Sequence, residues 1–445
     1  MGANNEEKGT VVISWFKKNI SARLLGGRFA RDVAVLAGGT ALGQAITVLA
    51  SPILTRIYTP EDFSVLAIYS SILSVLSTLA AGRYEVAIPL PEGNKDAVSL
   101  VMLALSIVVL MSLLVGLGVW LLGDQIVDWT NASALRPYLW LLPVGVLLVG
   151  NYQVFSQWAV RKNAFAIISR TKLSQGLGAT TAQIVTGLLK GGPLGLLAGQ
   201  IIGQSLGILT LATSFQVQKA ISTVRLNDIM FVVTRYKRFP MLSVWPTLIN
   251  AIGLQLPILA LSTLHGAQVT GWFALANKIF GVPLSIISTS TSFVMIGQAA
   301  EDRRSIKKLD PLFWKVIRQQ LFLAIPLLIV TPLCPFVFPF VFGQSWKESG
   351  IYATIWAPAI IANFVASPTG GFLDVLERQD LFIFREVLRL LIVSGVLVFS
   401  LKLALKPLLM VGMISCSMIL FAVLYALISF YAIKQAASGL KGKTC

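Results

Sequence analysis

Twelve long apolar segments, separated by short gaps in which basic residues recur at every second interval, leave this chain few folds to choose from. The segments run near 33–56, 62–82, 96–122, 137–160, 171–190, 192–216, 241–264, 269–297, 312–342, 350–376, 381–403 and 407–432. Each holds about 20 or more residues of low charge, enough to cross about 30 Å of hydrocarbon as a helix. Of the 36 lysines and arginines, 29 fall in the alternate gaps and at the two chain ends, and six in the intervening gaps: Arg56, Arg136, Lys190, Lys347, Lys402 and Lys406. Basic loops resist translocation, so this alternation places the 29, with both termini, on the cytoplasmic side. One cation, Lys278, is left over inside a segment.

The remaining composition agrees. Hydrophobic residues make up 56% of the chain and charged residues 12%, against about a quarter charged in soluble proteins. Backbone groups find no water in hydrocarbon, so the segments must be helical, and the weak ten-residue alternation of a membrane barrel is absent. The fold class expected is an all-α polytopic membrane protein with about twelve transmembrane helices in two six-helix lobes around a central cavity. A net charge of +17 does not imply nucleic acid, because the basic residues occupy separate short loops rather than one continuous face.

Five regions follow. Residues 1–32 form a cytoplasmic basic segment, read either as an amphipathic stretch on the inner leaflet or as a disordered tail. Residues 33–216 form an N-lobe of spans 1–6, and 217–240 a basic cytoplasmic linker. Residues 241–432 form a C-lobe of spans 7–12, and 433–445 a cytoplasmic tail. A weak duplication crosses the linker. Pro52-Ile53-Leu54 in span 1 matches Pro257-Ile258-Leu259 in span 7, and Ser64–Ile68 in span 2 resembles Gly271–Leu275 in span 8. Six spans per half give both halves the same orientation, the parallel-repeat plan with the substrate path between lobes.

Several chemistries lack their residues. His265, Cys334, Cys416 and Cys445 show no metal-ligand spacing. Gly442-Lys443-Thr444 imitates the end of a phosphate-binding loop, but Ala437 stands where its first glycine should be and no helix follows. The 19 acidic residues read as lying in loops or at span ends, with no carboxylate pair poised for acid–base or metal-assisted chemistry. The chain is therefore expected not to be an enzyme and to need no cofactor, with ion coupling by proton or sodium left open.

A twelve-span protein of this kind reads as a secondary transporter, and polar residues inside its spans mark candidate sites. Lys278 and Asn277 lie about nine residues, or ~13 Å, from the outer end of span 8. A charge at that depth costs at least ~2.5 kcal/mol, so it either faces a cavity and a ligand or is neutralised by snorkelling or by a neighbouring amide. Other candidates are Gln44 in span 1, Tyr69 and the serines at 70, 71, 74 and 77 in span 2, Asn250 and Gln255 in span 7, and the hydroxyls from Ser285 to Ser292 in span 8. Hydroxyls in membrane helices also serve simply to bond one helix to another.

The segment Arg83-Tyr84-Glu85-Val86-Ala87-Ile88-Pro89-Leu90-Pro91 resembles the corresponding stretch of the Wzx-type oligosaccharide flippases. So do Phe342-Gly343-Gln344-Ser345-Trp346, Gly350-Ile351-Tyr352, Ala357-Pro358, Ser367-Pro368 and the stretch from Trp158 to Lys172. The likeness extends to the span layout of nearly the whole chain. It implies a member of the multidrug and oligosaccharide exporter superfamily, in the bacterial inner membrane. The implied substrate is a polyprenyl-diphosphate-linked oligosaccharide for O-antigen, capsule or exopolysaccharide synthesis, moved across the lipid bilayer. A polysaccharide polymerase and a chain-length regulator are the implied partners. Related peptidoglycan-precursor flippases carry fourteen spans, two more than here. Cationic cavity residues are expected to contact the diphosphate, which makes Lys278, Arg31, Arg56 and Arg83, with Glu85 beside the last, the candidates. A cation-coupled multidrug exporter of the same superfamily would want a membrane-embedded carboxylate. A membrane glycan transferase or polymerase would want long charged outer loops.

Overall fold

A computed structural model describes residues 28–214, 225–302, 309–376 and 378–441. All twelve expected spans are helical, and no strand occurs among the described residues. Span 1 is Arg28–Leu49 continued by Ser51–Ile57, span 2 Pro60–Ser77, span 3 Asn94–Thr130, span 4 Leu141–Arg161, span 5 Phe165–Leu188 and span 6 Pro193–Ser214. A linker helix, Leu226–Arg235, leads into spans 7 and 8. Spans 9 to 12 are Leu309–Val330 with Cys334–Phe342, Lys347–Ala366 with Gly371–Val375, Gln379–Lys402 and Pro407–Lys441. The reading of residues 1–32 as an amphipathic segment falls almost entirely outside the described residues.

Local chemistry accounts for the boundaries. Span 2 begins at a capping box: the Thr59 hydroxyl accepts from the Asp62 amide at 3.3 Å, the Asp62 carboxylate accepts from the Thr59 amide at 2.9 Å, and Pro60 supplies the first helical φ. Spans 7 and 8 form one helical run, Val244–Asp302, interrupted at Gly266, whose φ of 80° and ψ of −176° suit glycine alone. The sequence suggests an outer loop of several residues there; a single glycine makes the turn. Among the described residues, seven helical runs are long and apolar enough to cross a membrane outright, and they hold eight of the spans. Spans 2, 4, 5 and 11 are the more polar ones, and three of these four carry the groups described below.

The duplication is visible in the packing. Within the N-lobe, spans 1 and 5, 3 and 4, 4 and 6, and 5 and 6 pack together; within the C-lobe the matching pairs are 7 and 11, 9 and 10, 10 and 12, and 11 and 12. The crossing of spans 1 and 5 is built from small residues. A Cβ on Gly43 would strike the Lys172 carbonyl, and one on Gly176 the carbonyl of Gly43. Backbones can approach this closely only without side chains between them. Replacing Gly176 with leucine should therefore overpack the crossing by about 1–3 kcal/mol. The check is a lower melting temperature of the detergent-purified protein, and an unchanged one would show that spans 1 and 5 do not meet there.

Candidate functional site

The two ends of the bundle differ in charge and in contact. At the charge-poor end, which carries the connections after spans 1, 3, 5, 7, 9 and 11, the lobes are bonded together. The Ser262 hydroxyl donates to the Thr130 carbonyl, and Thr263 donates to the Trp129 carbonyl at 2.6 Å. The Trp346 indole N–H donates to the Thr55 carbonyl at 2.9 Å, and its ring meets Phe63 edge-on at 4.9 Å. Gly271 of span 8 lies against the Pro60 carbonyl of span 2. The Phe342–Trp346 motif is thus a seal between lobes. Deeper in, Ser71 donates to the Gln255 carbonyl oxygen at 3.0 Å and the Gln255 amide donates to Ser74 at 3.4 Å.

The Arg83–Pro91 motif lies at the opposite, basic end and acts as a joint. Arg161 donates to the carbonyls of Pro89, Pro91, Glu92 and Gly93, and to the Asn94 side-chain oxygen. The Tyr84 hydroxyl donates to the Val233 carbonyl of the linker helix at 3.4 Å, and Lys95 pairs with Asp228 of that helix at 2.7 Å. Arg83, in left-handed backbone with φ 65°, pairs with the buried Glu85 at 3.5 Å. Burial pushes the Glu85 carboxyl above its ordinary range, an effect that its own backbone amide and Arg83 only partly oppose.

Lys278 lies twelve residues beyond the Gly266 break, about 18 Å along the helix and so near the middle of the hydrocarbon. Its neighbour Asn277 accepts the Trp356 indole N–H at 2.9 Å, and Phe273 packs on the same indole at 5.0 Å. This pins one face of span 8 to span 10. Lys278, a further 100° round the helix, points away from that contact, half-buried and with no hydrogen bond or ion pair among the described residues.

A second set of deep charges was hidden in the sequence count. Arg385, Glu386 and Arg389, 5%, 2% and 6% exposed, lie inside span 11 between spans 7 and 12. Glu386 accepts from Arg385 at 2.6 and 2.9 Å, from Arg389 at 2.7 Å and from the Asn250 amide at 3.1 Å. Arg389 also donates to the Asn250 carbonyl at 3.0 Å. The Arg385 guanidinium stacks on Tyr425 at 4.1 Å and Phe382 at 4.4 Å. Two cations against one anion leave the cluster at net +1, and Arg385 Nη1 and Arg389 Nε have no hydrogen-bond partner. Lys278 is therefore not the one exception to the loop pattern, since two of the 29 residues counted with a gap belong here. Nor do all carboxylates lie in loops or at the very ends of spans, because Glu386 is buried seven residues into span 11.

The other candidates separate clearly. Tyr69, expected to line the cavity, is wholly buried in the N-lobe and donates to the Leu141 carbonyl at 2.9 Å. Arg56 and Gln44 are exposed, with no contact to Lys278 or to the charged cluster among the bonds and ion pairs described. Arg31 lies in span 1, its side chain outside the described residues. Arg83 and Glu85 belong to the basic-end joint, Gln255 to the contact between lobes, and Asn250 to the charged cluster. The N-lobe instead presents a cavity of about 360 Å³ lined by Ser70, Leu73, Ser74, Ser77, Thr78, Val149, Gln153 and Gln200. No group of acidic, His or Cys side chains that could hold a metal occurs among the described residues.

Twin lobes bonded at the charge-poor end, with cations inside the C-lobe, make this an all-α multi-pass membrane protein whose fold is that of solved flippases and exporters. Solved structures share the fold. An inward-facing multidrug resistance MATE family transporter of the MOP superfamily is 15% identical, with 90% of this chain and 96% of that one covered and a TM-score of 0.71. The lipid II flippase MurJ in an inward closed conformation is 12% identical, with 89% and 87% covered and a TM-score of 0.70. An outward-facing MATE family transporter is 14% identical, with 95% and 98% covered and a TM-score of 0.55. No curated protein matches the sequence. The chain belongs to the family of polysaccharide biosynthesis proteins, whose model matches residues 53–350.

Two outcomes test these placements. Glu386→Ala leaves two buried guanidiniums facing each other and should cost about 3–5 kcal/mol, whereas Asp380→Ala, at an exposed pair, should leave the melting temperature almost unchanged. Equal shifts would mean that the cluster is solvated. For Glu85, a raised pKa means that folding favours the neutral acid. Its stabilising contribution is complete below the unfolded value of about 4.3 and is lost as pH rises through the folded one. Glu85→Gln should therefore melt with the wild type near pH 4 and above it at pH 8, and a variant less stable at pH 8 would contradict the burial effect.

Proposed function

We propose that this protein flips a polyprenyl-diphosphate-linked oligosaccharide from the inner to the outer leaflet of the bacterial cytoplasmic membrane, for surface polysaccharide synthesis. The basic end and both termini face the cytoplasm on this reading, in keeping with the positive-inside pattern. The lobes, joined at the charge-poor end, then stand in an inward-facing state. The higher TM-score against the inward-facing than the outward-facing MATE transporter, 0.71 against 0.55, supports that orientation of the gap.

Lys278 carries the reading. An ammonium near the middle of the hydrocarbon, with no carboxylate to neutralise it among the described residues, is costly unless water or an arriving anion meets it. A diphosphate is such an anion, and the membership of a polysaccharide biosynthesis family together with the likeness to a lipid II flippase supports attaching it to a glycan lipid. Export of cationic drugs would need a free intramembrane carboxylate. Among the described residues the buried one within a span is Glu386, and two arginines and an amide already occupy its oxygens. The same lack of a poised carboxylate or metal set favours a transporter over a glycan transferase, so we take the chain not to be an enzyme.

Lys278→Ala should abolish surface glycan while the protein accumulates normally and lipid-linked repeat units build up on the inner leaflet; Lys278→Arg should keep a measurable fraction of export. Full export by the alanine variant, scored by surface-glycan staining in a deletion strain, would remove the lysine from the mechanism.

A further inference from the structure

Resting on that reading, we infer that the N-lobe cavity between spans 2, 4 and 6 is a glycan subsite, which takes a sugar ring of the lipid-linked oligosaccharide while the C-lobe takes its diphosphate. This cavity carries no charge: its lining of Ser70, Ser74, Ser77, Thr78, Gln153 and Gln200 contains no ionisable group, and the intramembrane lysine of the N-lobe, Lys172, lies apart from that lining, over the Tyr152 ring. Leu73 and Val149 complete its walls. Its volume of about 360 Å³ lies within the range of small-molecule sites.

The hydrogen-bond inventory points to a sugar. Each carbohydrate hydroxyl both donates and accepts, and a primary amide offers both functions side by side. The Gln200 carbonyl oxygen accepts from Ser70 at 2.9 Å, which fixes the amide and leaves its two N–H donors for a ligand. Gln153 has no hydrogen-bond partner among the described residues and is half-buried in a membrane protein, a placement that costs free energy unless something meets it. Ser77 and Thr78 donate to the carbonyls of Leu73 and Val75 of their own helix at 2.6 and 2.7 Å, so their oxygens remain free as acceptors. Leu73 and Val149 offer apolar surface for the C–H face of a pyranose. At the rim, Ser74 accepts from Gln255 of the C-lobe, so the cavity adjoins the place where the lobes meet and a ligand could touch both.

The sequence shows the same feature in outline. Residues 70, 73, 74 and 77 fall at i, i+3, i+4 and i+7, one face of span 2. What the spacing could not show is that Gln153 and Gln200, from two other spans, close over that face.

The test uses the purified full chain and two probes: undecaprenyl diphosphate, and the same lipid bearing one N-acetylhexosamine. Wild-type protein should bind the sugar-bearing lipid more tightly than the bare one. Gln153→Ala should weaken the sugar-bearing lipid about fivefold, in line with one neutral hydrogen bond, and leave the bare lipid unchanged. Adding Gln200→Leu should bring the two affinities together. Since the Gln153 amide has no hydrogen-bond partner among the described residues, its truncation breaks no hydrogen bond there, and unaltered binding of the bare lipid reports a folded protein. Retention of the full sugar preference in the double variant overturns the subsite while leaving the flippase reading intact. Failure of the wild type to bind either lipid overturns the flippase reading itself, and the subsite with it.

Discussion

A charge within hydrocarbon must be paired, hydrated or met by a ligand, and nearly every feature of this protein reflects how that requirement is handled. Loops carry most of the charge. Inside the C-lobe, Glu386 is surrounded by Arg385, Arg389 and Asn250, so that one anion offsets most of the cost of two guanidiniums while aromatic faces cover the remainder. Replacement of such a cluster by well-packed apolar residues is often neutral for stability. Its presence is therefore poorly explained by folding alone. Lys278 takes the requirement further, since no protein group meets it among the described residues.

The duplicated plan makes this argument sharper. The crossing of spans 1 and 5 is closed by Gly43 and Gly176 against bare backbone, and the matching crossing of spans 7 and 11 holds the charged cluster, with Gly253 making room for Arg389. One architecture is thus stable with either filling. The N-lobe has a cation of its own at the crossing of spans 1 and 5, Lys172 over the Tyr152 ring at 4.5 Å, but its cavity is lined by neutral hydroxyls and amides. On the proposed reading the cavity and the C-lobe cations serve different parts of one substrate. A molecule that joins a neutral glycan to an anionic diphosphate matches both. The contacts that hold the lobes at the charge-poor end are mostly single bonds from hydroxyls or an indole to backbone carbonyls, a kind of seal that can open without exposing a charge.

Hydropathy made the spans legible because each must be long and apolar to cross the bilayer, and the turn at Gly266 was mistaken only in length. Site residues were read less well. Arg385 and Arg389 lie close enough to a basic gap to be counted with it, and Glu386 passed as a span-end acid. Only their shared helix face, at i, i+1 and i+4, could have hinted that they face inward together. Polarity within spans suggests Tyr69 and Asn277 as cavity residues, yet Tyr69 bonds a carbonyl in its own lobe and Asn277 secures Trp356. Polarity reports that a partner exists without saying which.

The sequence by itself determined the twelve helices, their alternation of charge and the repeat of six, because solvation by lipid acts on each segment through its own composition. Which residues meet was decided only by the tertiary structure. Neighbours across a helix crossing are set by rotation about the helix axis, where one residue is a turn of 100°, and by contacts between segments more than a hundred residues apart, such as Asn250 with Glu386 or Trp346 with Thr55. For that reason Lys278 could be found as a sequence anomaly, whereas the charged cluster at spans 7 and 11 and the amide-lined cavity of the N-lobe appeared only when the helices were packed.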